Sequence, residues 1–329
     1  MEAIDLEELA SLLLEWKSKR VLFTFHSIGD TDSIASAIAL SSFFKNSTIA
    51  TPDIITSNAK RIMKNFGYDP ESVKNRFPLV DKVVLLDVNS FEECGAFHEN
   101  LENFAGEMLI IDHHAPKPLA KKDIYYFNNE TYNSATSIVY AAISKARLGI
   151  NSNIAKVLLA GIVSDSAEFR NATPDTFIQI GQLLKIAGFD YMELLENMQH
   201  VAEPESRLKS IEDIMSSKAE VKNGLLFMHG EAHAHANIAA DYAIKIGADV
   251  ALFYDMGEKE ISFSARLRPP LEKKYNIHVG RIMQDVAKAI GGTGGGHPAA
   301  GGAYGPLKNA SDNFVSQFIE RILEKTRNR

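Results

Sequence analysis

Lys82-Val83-Val84-Leu85-Leu86-Asp87 and, further on, Met108-Leu109-Ile110-Ile111-Asp112-His113-His114 share one design: an unbroken apolar run that ends on a carboxylate. A strand wetted on one face alternates apolar and polar residues, whereas a run without alternation suits a strand buried on both faces of a parallel sheet. Val21–Phe25, which leads into His26, has the same character, and Asp123–Phe127 reads as a further strand. Between them lie longer helical patterns, at Ser33–Phe44, Ser134–Leu148, Ile154–Asp165 and Asp175–Ala187. Strands alternating with helices predict an α/β fold, with a mostly parallel sheet and helices on both faces. In such sheets functional groups gather at the carboxyl ends of the strands. His26, Asp87 and Asp112-His113-His114 all fall there.

The chain has 329 residues, 45% hydrophobic and 23% charged, a composition that argues for folded domains and for two of them. Its net charge of −7 lacks the basic excess of proteins that coat long nucleic acid. A small or short anionic substrate in a local positive pocket fits better. Cys94 is the single cysteine, so no intrachain disulfide forms, and a buried thiol is the plainer reading than a nucleophile. The acidic, amphipathic start Met1-Glu2-Ala3-Ile4-Asp5-Leu6-Glu7-Glu8 does not read as a signal peptide. No apolar run approaches the ~20 residues that span a bilayer. A soluble, cytoplasmic protein with no membrane partner is expected.

Tyr191–His200 and Glu205–Ser217 form polar helical patterns without a strand signal. They predict a helical linker at 191–219 between a first domain at 1–190 and a smaller α/β domain at 220–329. In the latter, Gly224–His229, Ala248–Asp255 and Glu260–Arg266 read as strands. Ile238–Ile246, Ile277–Ile290 and Asp312–Lys325 read as helices.

Chemistry-bearing residues cluster at a few places. His26-Ser27-Ile28-Gly29-Asp30-Thr31-Asp32 joins a strand to a helix, so His26, Asp30 and Asp32 can point at one centre. Taken alone, Asp30 or Asp32 reads equally as a metal ligand or as a helix cap. Asp87 alone reads also as a turn residue. Asp112-His113-His114 has no evident packing use, and Asp165 closes an otherwise apolar helix, where a carboxylate needs a cationic partner. Several carboxylates in one pocket repel unless a cation joins them. Mixed oxygen and nitrogen donors suit manganese or a similar first-row ion. The run Gly291-Gly292-Thr293-Gly294-Gly295-Gly296-His297-Pro298 reads as a loop whose N–H groups form a nest for phosphate oxygens, with His297 as a further donor. Arg266 can grip phosphate bidentately; His233 and His235 read as exposed loop residues.

In this order the segments resemble the DHH phosphoesterase family with a DHHA1-type second domain, in its nanoRNase and pAp-phosphatase-like branch. Asp112-His113-His114 looks like the naming motif, and Gly294-Gly295-Gly296-His297-Pro298-Ala299-Ala300-Gly301 like the second domain's signature. The resemblance implies two Mn2+ ions, with Mg2+ or Co2+ as substitutes. One would sit on His26, Asp30 and Asp87; the other on Asp32, Asp87, His113 and Asp165. It implies that His114 faces the substrate phosphate, Asp112 orients its neighbours, and Arg266, Gly294, Gly295, Gly296 and His297 bind substrate. Ser27-Ile28-Gly29 departs from the family's frequent Asn-Pro, which alters the turn and no ligand. The implied activity is hydrolysis of short oligoribonucleotides or small nucleotides such as pAp by metal-activated hydroxide, with a homodimer as a possible assembly.

Other functions remain in view. Asp30-Thr31-Asp32-Ser33 also looks like inorganic pyrophosphatases, which together with exopolyphosphatases form one alternative. Those pyrophosphatases carry a different second domain with a Ser-Arg-Lys-Lys-Gln element that this chain lacks. A RecJ-type single-strand exonuclease is another alternative, against which stand the acidic balance and the few aromatics for base stacking. A nucleotide sensor without catalysis would be marked by a lost ligand, and every ligand type is present.

Overall fold

A computed structural model describes the chain except residues 1, 118–120, 122, 167–168, 170–171, 199–202, 234, 307–310 and 328–329. The chain divides into two units, Met1–His200 and Val201–Arg329.

The first unit opens with β1 (Glu2–Ala3), α1 (Leu6–Trp16), β2 (Arg20–Phe25), β3 (Ile28–Gly29) and α2 (Thr31–Ser41). Next come β4 (Asn46–Ile49), β5 (Ile54–Ile55), α3 (Ser57–Asn65), β6 (Lys82–Leu86), α4 (His98–Glu102), β7 (Glu107–Asp112) and β8 (Ile124–Asn128). Four helices complete it: α5 (Ala135–Lys145), α6 (Ser152–Asp165), α7 (Pro174–Ala187) and α8 (Tyr191–Met198). The main sheet runs β1-β8-β7-β6-β2-β4. Every pairing in it is parallel.

Both faces of this sheet are covered, which explains the unbroken apolar runs. Phe23, Val84, Leu86, Leu109 and Ile111 pack on one side, among residues of α1, α2, α5 and α6. Their chain neighbours Leu22, Val83, Leu85, Met108 and Ile110 pack on the other, against Phe91, Cys94, Phe97 and Leu101. The period of two along each strand thus feeds two cores. Cys94 is buried there, and burial raises its thiol far above its ordinary range, so it serves as packing.

Some elements lay outside the sequence reading. The acidic start is a helix, α1, opened by a reciprocal cap between Asp5 and Glu8 and burying Leu9, Leu13 and Trp16 at helical spacing. β4 is the polar edge strand Asn46-Ser47-Thr48-Ile49, which has no apolar run to signal it. The expected polar connector is divided between the units: α8 buries Leu194 in the first core, while the helix after it belongs to the second.

The second unit contains α9 (Pro204–Ser216), β9 (Lys218–Lys222), β10 (Leu225–Glu231), α10 (Ala236–Lys245), β11 (Val250–Met256) and β12 (Glu260–Leu267). α11 (Pro269–Tyr275), α12 (Val279–Ala289), β13 (Thr293–Gly296), β14 (Ala300–Pro306) and α13 (Ser311–Thr326) follow. Its sheet runs β13-β14-β12-β11-β10-β9. Only the β10–β11 pair is parallel.

Here one expectation is corrected. The glycine run is not a loop. Gly294, Gly295 and Gly296 belong to β13, paired antiparallel with β14 at Gly294↔Ala303, Gly295↔Gly302 and Gly296↔Gly301. Gly294 in β13 and Gly280 in α12 are required by the closeness of strand and helix, whereas a Cβ on Gly295 would meet nothing. A Cβ at Gly294 would lie 2.7 Å from the Met283 carbonyl oxygen, and one at Gly280 would lie 2.1 Å from that of Gly296. Gly296 also adopts φ +136°, which side-chain-bearing residues avoid. Among the described residues no helix is long and apolar enough to cross a membrane.

Candidate metal centre

The candidate centre is built at the carboxyl ends of β2, β6 and β7 and at two helix ends. His26 follows β2 directly. Asp30 then caps α2, its carboxylate accepting the Ser33 N–H at 3.0 Å. The ligand and cap readings of Asp30 are therefore compatible, since the cap uses one oxygen of a carboxylate that has two and that borders the cavity.

Asp32 sits in the first turn of α2 and is almost wholly buried. Its two carboxylate oxygens accept the N–H groups of Ala135 (2.7 Å) and Thr136 (2.9 Å), at the start of α5. The N–H groups at the start of that helix thus fix the orientation of the carboxyl group. The Thr136 hydroxyl donates to the Asp32 carbonyl at 3.1 Å, tying the two helices together. A Cβ on Gly161 of α6 would meet that hydroxyl at 2.2 Å, so the glycine keeps the space for it.

Asp87 is the hub. It follows β6 at φ 57°, a left-handed conformation that aspartate tolerates better than most residues and that turns its carboxylate inward. It is 6% exposed. The Ser33 hydroxyl donates to its Oδ2 at 3.0 Å and lies 2.9 Å from His26 Nε2. Its Oδ1 lies 3.4 Å from His113 Nε2 and 3.6 Å from His114 Nδ1. His113 Nε2 is also 3.4 Å from Asp165 Oδ2, at the last residue of α6. Asp112 faces inward below them. It accepts the His114 ring N–H at Nδ1 (2.9 Å) and an amide hydrogen of Asn128 (3.3 Å).

The electrostatics follow from crowding. Burial, with Asp87, Asp165 and Asp30 nearby, holds the Asp32 carboxyl well above its ordinary range. Burial also raises Asp165, to about 6, aided by Asp87 and Asp30 and opposed by His113. Asp87 moves the other way: burial opposes ionisation, but the adjacent His113 and His26 rings, 3.4 Å and 3.5 Å away, hold it far below the usual carboxylate range. His114 rises to about 9, chiefly through its bond to Asp112. Among the described residues no lysine or arginine forms an ion pair with Asp30, Asp32, Asp87 or Asp165; their near neighbours are histidines. Asp87 Oδ1 and His113 Nε2 are buried without a hydrogen-bond partner. An acidic cluster with unused donor atoms is the setting in which a divalent cation fits. Three sets of donors are each compact within 4.8 Å: His26, Asp30 and Asp87; Asp32, His113 and Asp165; Asp87, His113 and His114.

His26, Asp30, Asp87, His114 and Asp165 border a cavity of 560 Å³, to which Ile28, Asn89, Glu93 and Lys117 also contribute. Ser33 and Asn128 were not singled out in the sequence. Ser33 follows Asp32 inside the motif, a usable signal, whereas nothing local marks Asn128.

Arg266, Gly294, Gly295, Gly296 and His297 lie in the second unit. The Arg266 guanidinium is held by Asp241 of α10, with Nε to Oδ1 at 2.6 Å, and by the Ala265 carbonyl at 3.1 Å. His297 is exposed at the turn between β13 and β14. In the loop before α10, the His233 ring bonds to the buried Asp213 of α9 at 2.8 Å.

The model of the DHH family, N-terminal domain, matches residues 20–162, and that of the DHHA1 domain matches residues 226–325. An uncharacterized protein of Methanocaldococcus jannaschii is 29% identical over 322 residues, covering 94% of each chain. A manganese-dependent inorganic pyrophosphatase of Methanothrix thermoacetophila is 26% identical over 271 residues, covering 80% of each. The crystal structure of an exopolyphosphatase-related protein from Bacteroides fragilis shares the fold at a TM-score of 0.72, with 16% identity and 97% of each chain covered. With matched models in both units and the acidic, histidine-rich cluster at the strand ends, the chain carries a DHH-family N-terminal domain and a DHHA1 domain.

Proposed function

We propose that this protein is a manganese-dependent phosphoesterase that hydrolyses short oligoribonucleotides or small nucleotides such as pAp. The observation that carries the reading is the convergence of carboxylates and imidazoles on Asp87, shared by two donor sets, together with unpaired buried donor atoms. His26, Asp30 and Asp87 would hold one ion, and Asp32, Asp87, His113 and Asp165 the other. Oxygen and nitrogen donors in that mixture suit manganese. The similarity to a pyrophosphatase described as manganese-dependent supports the same metal. When bound, the ions would supply Lewis acidity at phosphoryl oxygens and lower the pKa of water.

The chain's own groups do the rest. Asp112 fixes the His114 ring through Nδ1, which leaves Nε2 to donate to a substrate oxygen. Ser33 keeps His26 and Asp87 in register. Arg266, steadied by Asp241, is the proposed phosphate grip of the second unit, with Gly294, Gly295, Gly296 and His297 as companions. The match to a DHHA1 domain, where the resemblance gives pyrophosphatases a different second domain, supports nucleotide substrates. Inorganic pyrophosphate is the second reading, favoured by the similarity to the Methanothrix thermoacetophila enzyme.

The deciding experiment measures hydrolysis of pAp, a diribonucleotide, a long single strand and pyrophosphate with added manganese. Turnover of pAp or the dinucleotide well above the others is expected. Cleavage of pyrophosphate alone would replace this reading with the second, and preference for the long strand would point to an exonuclease.

A further inference from the structure

We infer that Ile28 and Ile54 form an apolar platform that seats the base of a nucleotide whose phosphate is held at the candidate metal centre; the inference rests on that phosphate-holding role. β3 and β5 form a separate two-stranded parallel sheet in which Ile28 pairs with Ile54 and Gly29 with Ile55. Successive strand residues point to opposite faces. Ile55 is buried in the first core, so Ile28 and Ile54 face outward side by side. They are 53% and 57% exposed. A single exposed isoleucine is ordinary, but two paired ones make a continuous apolar surface.

The position of Ile28 gives the pair a meaning, and Ile54, outside the cavity lining, extends its apolar surface through the β3–β5 pairing. Ile28 borders the same cavity as His26, Asp30, Asp87, His114 and Asp165, and lies in the chain between His26 and Asp30. The cavity's 560 Å³ falls within the ~300–1,000 Å³ typical of sites for small organic ligands. A nucleotide joins an anionic end to a flat base with apolar faces, and it matches a wall that is polar on one side and aliphatic on the other. Pyrophosphate has no apolar surface, so it gains nothing from the platform. Ile28 and Ile54 are thereby specificity-determining residues that favour nucleosides over purely inorganic substrates.

The test is calorimetric titration of the manganese-loaded full chain with AMP and, separately, with inorganic phosphate. The readout is the ratio of the two affinities. In the wild type AMP should bind more tightly than phosphate. In the Ile28→Thr/Ile54→Thr double variant, which keeps β-branched side chains in the strands, the ratio should fall about tenfold. Ile28→Leu should retain most of it, because apolar surface is preserved. The inference is overturned if wild-type AMP binds no better than phosphate, if the double variant keeps the ratio, or if Ile28→Leu loses as much as the threonine variant. Failure of the nucleotide reading is distinguishable: a wild type with an isoleucine-dependent ratio that cleaves only pyrophosphate removes the proposed reaction and keeps the platform.

Discussion

Replacing Asp87 by asparagine should cripple the proposed hydrolysis while leaving the fold intact. Asparagine, like aspartate, accepts the left-handed backbone at this position (φ 57°) and can still accept the Ser33 hydroxyl. What disappears is a negative charge that would be shared by the two proposed ions, one with His26 and Asp30, the other with Asp32, His113 and Asp165. A charge-assisted contact is worth about 1.5–3 kcal/mol, so a ligand shared by two ions accounts for about 3–6 kcal/mol. That corresponds to roughly 10²–10⁴ in the combined binding constant for the pair of ions. Equilibrium dialysis with elemental analysis gives the manganese stoichiometry, and kcat/KM on the best substrate should drop by a similar factor. Far-UV circular dichroism of the metal-free variant should match the wild type. An asparagine variant that binds two ions as tightly as the wild type, at any level of activity, would refute the sharing of Asp87.

Ser33→Ala removes the hydroxyl that links His26 to Asp87, and manganese affinity should fall about tenfold or more, as for other residues that orient metal ligands; an unchanged affinity would dismiss that role. Asp165 in the metal-free protein ionises at about 6, so protons should compete with metal below that pH, and manganese affinity should fall as pH drops from 7 to 5. Because its folded pKa is raised, the same carboxyl contributes stability to the metal-free fold below its unfolded value of about 4 and loses it as pH rises through the folded value. A manganese affinity flat across this window would contradict the assignment. Gly280→Ala places a methyl against the Gly296 backbone, which cannot rotate away, and should cost the second unit about 2–3 kcal/mol. Trp16, the single tryptophan, lies in the first unit, so on urea unfolding its fluorescence transition should stay put while a far-UV component moves to lower urea.

The parts of the fold that were legible are those where burial leaves a mark on composition. Val83-Val84-Leu85-Leu86 and Leu109-Ile110-Ile111 read as doubly buried strands because each face meets its own core. The carboxylates and imidazoles that end those strands stood out for the same reason, since nothing in apolar packing calls for them. β4, made of Asn46, Ser47, Thr48 and Ile49, was silent because an edge strand needs little apolar surface. The glycine run misled because glycine opposes regular structure on average, whereas here it is what lets α12 lie close on β13. Asp241, the anchor of Arg266, had no sequence signal, for it meets the arginine only through pairing of distant segments.

The central claim is that six side chains from strand and helix ends enclose two cations. Anomalous diffraction at the manganese edge from crystals of the metal-loaded protein tests it directly. Two peaks are expected, one bonded by His26, Asp30 and Asp87, the other by Asp32, Asp87, His113 and Asp165. A cluster with no peak, or manganese bound only at other residues, would contradict it.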